Sequence, residues 1–184
     1  MHFASFVTLA ALFAAPVFAA PVLAAIDLPV VAYVPFVKEG SRTTVPGAAD
    51  GVYTSYNSTH LAYYGMLSTE APVFEARSIL NERQLTCDVS CNGQFSDPNN
   101  IAGANNGMGN LLASNPNFRG SVSFVFANVW AFGCDYGNGQ SEPVSQWFFD
   151  VGCVNAQCST SQAGWNSHHS WKSTYGREFG GFSC

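Results

Sequence analysis

Charge is scarce in this chain. Seven Lys and Arg and twelve Asp and Glu are scattered through 184 residues, leaving a formal net charge of −5. No stretch gathers Lys or Arg, so the phosphate neutralisation on which nucleic-acid binding scales has no footprint here, and an anionic membrane surface is excluded on the same ground. The chain also lacks a Gly-x-Ser-x-Gly elbow, a His-Glu-x-x-His helix and a phosphate-cradling loop, each of which would name a chemistry. Cysteine is missing from the whole first part; all six cysteines fall between Cys87 and Cys184.

What the first part has is a long apolar run. Residues 3–26 carry no charge and consist mainly of Ala, Val, Leu and Phe, but Pro16 and Pro21 interrupt the run and small residues follow. This pattern reads as a secretory signal over residues 1–19, cut after Ala19 or, second, after Ala24, although the basic start of such signals is missing. No membrane span is expected once it is removed. Secretion places the cysteines in an oxidising compartment, where they form bridges. Cys87-x3-Cys91 and Cys153-x4-Cys158 are not zinc spacings and no histidine pair follows them. Cys87, Cys91, Cys134, Cys153, Cys158 and Cys184 are therefore read as disulfides, with fifteen pairings open. No metal and no cofactor is expected.

Residues 20–83 show no long period and contain Pro29, Pro35, Pro46 and Pro72. They read as a pro-segment or a weakly ordered extension. A helix-compatible stretch over 73–83 ends at Arg83, directly before the cysteine-rich body, where a processing protease would cut. Asn57-Ser58-Thr59 is a sequon, so Asn57 is a candidate glycosylation site.

The body, residues 84–184, begins its regular structure at Asp97-Pro98, a helix cap followed by proline at the first helical position. Ile101, Ala104, Met108, Leu111 and Leu112 share one face, Gly103 and Gly107 let that face approach a sheet, and Pro116 ends the helix. Ser121–Cys134 alternates bulky even positions with light odd ones, as a strand does. Asn138-Gly139 then predicts a hairpin turn, pairing this strand with a second over 145–153 and setting Trp130 opposite Trp147. A straight strand of that length would overrun the domain, so a bend is expected near Ala127-Asn128. The tail from Gly164 again alternates, with Trp165, His169 and Trp171 on one side and His168 and Lys172 on the other.

Chemistry-bearing residues are few. Asp135 and Glu142 would meet across the hairpin near its turn, where they could share a proton or approach calcium. His168, with Lys172 on the polar face, is the candidate acid or base, while His169 reads as a hydrogen-bonded core residue. Arg177 and Glu178 are the further residue types that a small nuclease would bring to His168. Trp165 and Trp171 could stack on a sugar.

The succession of cysteine, helix, aromatic strand ending in Ala131-Phe132-Gly133-Cys134, and closing Tyr175-Gly176 segment before Cys184 resembles the fungal secreted cysteine-rich proteins, in particular the killer-toxin-like and necrosis-inducing extracellular effector families. The resemblance covers residues 87–184 and implies a compact α+β sandwich, a fungal source and a role outside the cell; it carries over no functional residue. The expectation is thus an α+β fold, a small disulfide-stapled antiparallel sheet with one main helix packed on it. The function expected is that of a secreted non-enzymatic effector, toxin-like or surface-interaction protein facing a host or cell-wall component. A small hydrolase or ribonuclease using His168 with a carboxylate, and a carbohydrate-binding module using Trp165 and Trp171, are the alternatives.

Overall fold

The computed structural model describes residues 29–72 and 86–184. The first stretch carries β1 (Ala32–Pro35), β2 (Val37–Glu39), β3 (Arg42–Thr44), β4 (Gly51–Ser55) and β5 (His60–Gly65). The second carries β6 (Val89–Phe95), α1 (Pro98–Ser114), β7 (Asn117–Phe118), β8 (Ser121–Phe126), β9 (Val129–Asp135), β10 (Gln140–Ser141), α2 (Val144–Cys158), β11 (Gln162–His168), β12 (Ser173–Phe179) and β13 (Phe182–Ser183). Eight strands form one sheet in the order β1-β5-β4-β8-β9-β12-β11-β6, while β13, β3 and β2 make a small second sheet and β10 pairs with β7. The paired strands of the described residues run antiparallel. The described residues are therefore sheet-rich, with two helices among them where one was expected.

Residues 29–72 hold five strands rather than weakly ordered chain. They are three to six residues long, too short for a two-residue period to show. β4 pairs with β8 in the middle of the large sheet, from Gly51 opposite Val125 to Thr54 opposite Val122. The junction at Arg83 and the signal over residues 1–19 lie outside the described residues.

Ser121–Cys134 is not one strand. Ala127 and Asn128, with φ of 48° and 65°, form a two-residue turn that pairs Phe126 with Val129. Such a turn needs two residues in the left-handed region, which Asn tolerates well. The bend expected from length falls here, and it is a complete reversal. Because residues directly opposite share a face, the bulky even positions change sides at the turn. Val122 and Phe124 join the cluster beneath the helices, with Val52, Ala104, Met108, Leu111, Trp147 and Tyr175. Trp130, Phe132 and Cys134 join a second cluster on the opposite face, with Tyr53, Leu61, Val125 and Phe182.

The second arm of the expected hairpin is a helix. Gln146, Trp147, Asp150, Cys153, Val154 and Cys158 are the buried residues of α2, and their three- and four-residue spacing is helical. Trp147 donates its indole N–H to the Asn105 carbonyl of α1 at 2.9 Å instead of facing Trp130. The Asn138-Gly139 turn is gathered by Asp135, whose carboxylate accepts from the Gly137 and Gly139 N–H groups at 2.8 Å each.

α1 forms as expected. Asp97 accepts from the Asn99 N–H at 2.8 Å with Pro98 at the helix start, and Ile101, Ala104, Met108, Leu111 and Leu112 are buried. A Cβ on Gly103 would meet the Phe126 ring at 2.6 Å, and one on Gly107 would enter the Phe124 ring. These glycines let the helix rest on β8. Cys87–Cys153 and Cys91–Cys158 staple α2 to the β6 edge, and Cys134–Cys184 fastens the C-terminus to β9. Among the described residues no helix is long and apolar enough to cross a membrane.

Candidate functional site: a buried polar cluster between α2 and the sheet

Asp150 lies on the inward face of α2, and on β11 the residues Asn166 and His168 alternate inward. The strand and the helix therefore aim three polar side chains at one point. Asp150 Oδ1 lies 2.9 Å from His168 Nε2 and accepts from Asn166 Nδ2 at 2.7 Å. Asn166 also accepts from the Asp88 N–H at 2.6 Å and donates to the Thr86 carbonyl at 2.9 Å, tying the chain before β6 to both elements. Against the imidazole stacks the Trp171 ring, centroids 4.2 Å apart and planes 16° apart. The three polar residues are almost wholly enclosed, His168 being 3% exposed, Asp150 1% and Asn166 0%.

A carboxylate beside an imidazole fixes the ring and its tautomer, which is the positioning half of an acid–base unit. The other half, access for a substrate, is closed by burial and by Trp171. This site departs from the sequence expectation in two ways. His168 is the enclosed histidine, whereas His169 is exposed and meets Asp88 at 2.9 Å at the surface. Asp150 is not among the sequence candidates, because the stretch around it reads as a strand. The signal for it was present in the helical spacing of Gln146, Asp150, Val154 and Cys158.

Arg177 and Glu178 do not join His168. Arg177 faces α2 some four residues further along β12, since Gly164 is its cross-strand partner whereas Ser173 is that of His168. Its guanidinium donates to the Gln162 carbonyl at 2.9 Å, to Asn155 Oδ1 at 2.8 Å and to the Ser159 carbonyl at 2.7 Å. Burial lowers its pKa to about 10, which still leaves it charged at neutral pH. Glu178 points to the opposite face, where Ser183 donates to it at 3.0 Å, and burial raises its carboxyl above the ordinary range.

Asp135 and Glu142 do not meet across a hairpin. Asp135 ends β9 opposite Ser173, while Glu142 follows β10, is buried, and donates its N–H to the Pro116 carbonyl at 2.8 Å. Lys172 sits exposed in the turn before β12 with φ of 55°, and its carbonyl accepts from the Tyr136 N–H at 2.8 Å. Trp165 packs into the second cluster while Trp171 covers His168, so the two tryptophans form no common platform.

Two cavities of about 290 Å³ open on the molecule. One is lined by Ser55, Asn57, Ser121, Asp135, Tyr136 and Phe182 among others; the other is apolar, with Val34, Val45, Ala48, Tyr53 and Tyr63. Neither is lined by His168, Arg177 or Glu178. Among the described residues no group of three or more His, Cys, Asp or Glu side chains could hold a metal ion.

Fold and cluster together define a class: among the described residues, a disulfide-stapled antiparallel β protein with two helices on one face and the polar Asp150–Asn166–His168 cluster joining helix to sheet. No family model, no curated protein and no solved structure matches the chain.

Proposed function

We propose that the protein is a secreted, non-enzymatic effector, toxin-like or surface-interaction protein of the fungal cysteine-rich kind, acting on an extracellular host or cell-wall component. One observation carries this reading. His168, Asp150, Arg177 and Glu178 are each no more than 3% exposed and hydrogen-bonded within the chain, so their chemistry goes into architecture. Three disulfides, typical of extracellular proteins, support the location.

The reading is tested by assaying the purified protein against RNA and cell-wall polysaccharides beside a His168→Gln variant checked for native fold. No turnover is expected from either. Robust hydrolysis lost in the variant would replace this reading with the second one, a small hydrolase or ribonuclease. The 2.9 Å Asp150–His168 couple favours that alternative, which further requires the turn between β11 and β12 to carry Trp171 off the imidazole.

A further inference from the structure

The cavity lined by Ser55 and Ser121 lies where the small sheet meets the ends of β4, β8 and β9. Its volume of about 290 Å³ is at the small end for ligand sites. Leu61, Phe182 and Ser121 are buried in its wall, whereas Tyr136 at its edge is 53% exposed. Its polar groups are neutral hydroxyls, with Ser55 Oγ and Ser121 Oγ 2.7 Å apart, and the charged Lys38 and Asp135. Apolar walls ringed by hydroxyl-type partners suit a sugar, which presents a C–H face and a rim of hydroxyls.

Asn57, the asparagine of the chain's one sequon, lines the same cavity. Its side-chain oxygen accepts from the Thr59 N–H at 2.9 Å, the Thr59 hydroxyl at 3.1 Å and the His60 N–H at 2.8 Å. With the oxygen engaged three times the carboxamide is held in place, and Nδ2 is the atom left for attachment.

We propose that this cavity is the seat of the innermost sugar of an N-linked glycan carried by Asn57. The proposal rests on the secretory reading above. In the attachment step Asn57 Nδ2 forms a bond to C1 of N-acetylglucosamine in a lipid-pyrophosphate oligosaccharide donor. The C1–O bond to pyrophosphate breaks, the lipid pyrophosphate leaves with the bonding pair, and the nitrogen gives up one proton to the transferase, with no change of oxidation state. The folded chain then receives the sugar, its C–H face and acetyl methyl against Tyr136 and the half-buried Phe36 and its hydroxyls toward Ser55 and Ser121.

The full chain secreted from a eukaryotic host that adds N-glycans provides the test, with Asn57→Gln as the assignment control and Tyr136→Ala as the probe of the seat. Peptide mass is expected to show a glycan on Asn57. NMR is expected to show nuclear Overhauser effects between the innermost acetyl methyl and the Tyr136 or Phe36 ring. Release by a peptide N-glycosidase should run about tenfold slower from the native chain than from the denatured one, with Tyr136→Ala recovering much of the rate. A secreted, disulfide-bonded chain with Asn57 unmodified overturns the inference and leaves the secretory reading standing. A glycan with no such contacts, released equally fast from native and variant chains, also overturns it. A chain retained in the host cell with reduced cysteines removes the secretory reading and this inference together.

Discussion

Arg177 closes the C-terminal end of α2 through the carbonyl of Ser159, to which its Nη2 donates at 2.7 Å. The last turn of α2 has no basic residue of its own, so the cation that a helix C-terminus favours is supplied by β12 across the sheet. Arg177→Met removes three hydrogen bonds, to Asn155 Oδ1 and to the carbonyls of Gln162 and Ser159, whose residues are half-buried or exposed, and is expected to cost about 1.5–3 kcal/mol in urea unfolding. Arg177→Lys, keeping charge without the planar fork, should recover part of that loss. Equal stability of all three proteins would mean that water replaces the guanidinium.

Asp150 is the hub that joins α2 to Asn166 and His168. Asp150→Ala takes the carboxylate from buried His168 and leaves Asn166 Nδ2 with the Thr86 carbonyl alone, an expected loss of about 2–3 kcal/mol. In a chain of this size that lowers the melting temperature by roughly 4–12 °C. Calorimetry on the variant, with near-ultraviolet dichroism reporting Trp171, checks it. A loss below about 0.5 kcal/mol would mark the cluster as energetically idle.

The sign of a glycine substitution in α1 is decided by the sheet. Alanine is the better helix former by about 1 kcal/mol, yet a methyl group on Gly107 enters the Phe124 ring. Overpacking of this kind costs about 1–3 kcal/mol. Gly107→Ala is expected to be destabilising in spite of the gain in helix propensity. A Gly107→Ala protein more stable than the parent in chemical denaturation would refute the close approach.

Glu178 makes stability depend on pH. Burial raises its folded-state pKa, against the lowering by Ser183, Arg42 and Asn92. A raised acid holds its proton more tightly folded than unfolded, so it costs nothing below the unfolded carboxylate pKa and progressively more as pH rises through the folded one. Glu178→Gln removes that dependence. The stability of the variant relative to the parent is expected to rise between acidic and neutral pH, and parallel curves would show that Glu178 is not the group responsible.

Residues 29–72 contribute β4 to the middle of the sheet, yet no cysteine in them ties them to the body. A chain beginning at Gln84 would bare the β8 edge and, with Tyr53 and Leu61 gone, the remaining cluster of Val125, Trp130, Phe132 and Phe182. It is expected to aggregate or to lose dispersed amide signals in NMR, even with its disulfides formed. A monomeric, well-dispersed spectrum from that fragment would show that the body stands alone.

Local rules were legible wherever one element determines its own shape. Asp97, Pro98 and the spacing from Ile101 to Leu112 define α1 by capping and periodicity, and the glycines announce its close seat on the sheet. The rules failed where two local signals competed. Asn138-Gly139 is a stronger turn signal than Ala127-Asn128, but only the latter lets the strands on either side pair. Around Asp150 the odd positions mimic a strand, and burial of Trp147 and Val154 against α1 and the sheet selects the helix instead.

By itself the sequence determined that the chain has a six-cysteine body, one capped helix, aromatic strands and few charges, because these follow from residue type and short spacing. Only the tertiary structure decided which cysteines pair, which face of the sheet each aromatic residue covers, and that His168 meets Asp150 while Arg177 and Glu178 go elsewhere. Those outcomes depend on strand order and crossover, which are set by the burial of the whole chain at once. A two-residue period carries no record of the partner against which a strand will lie.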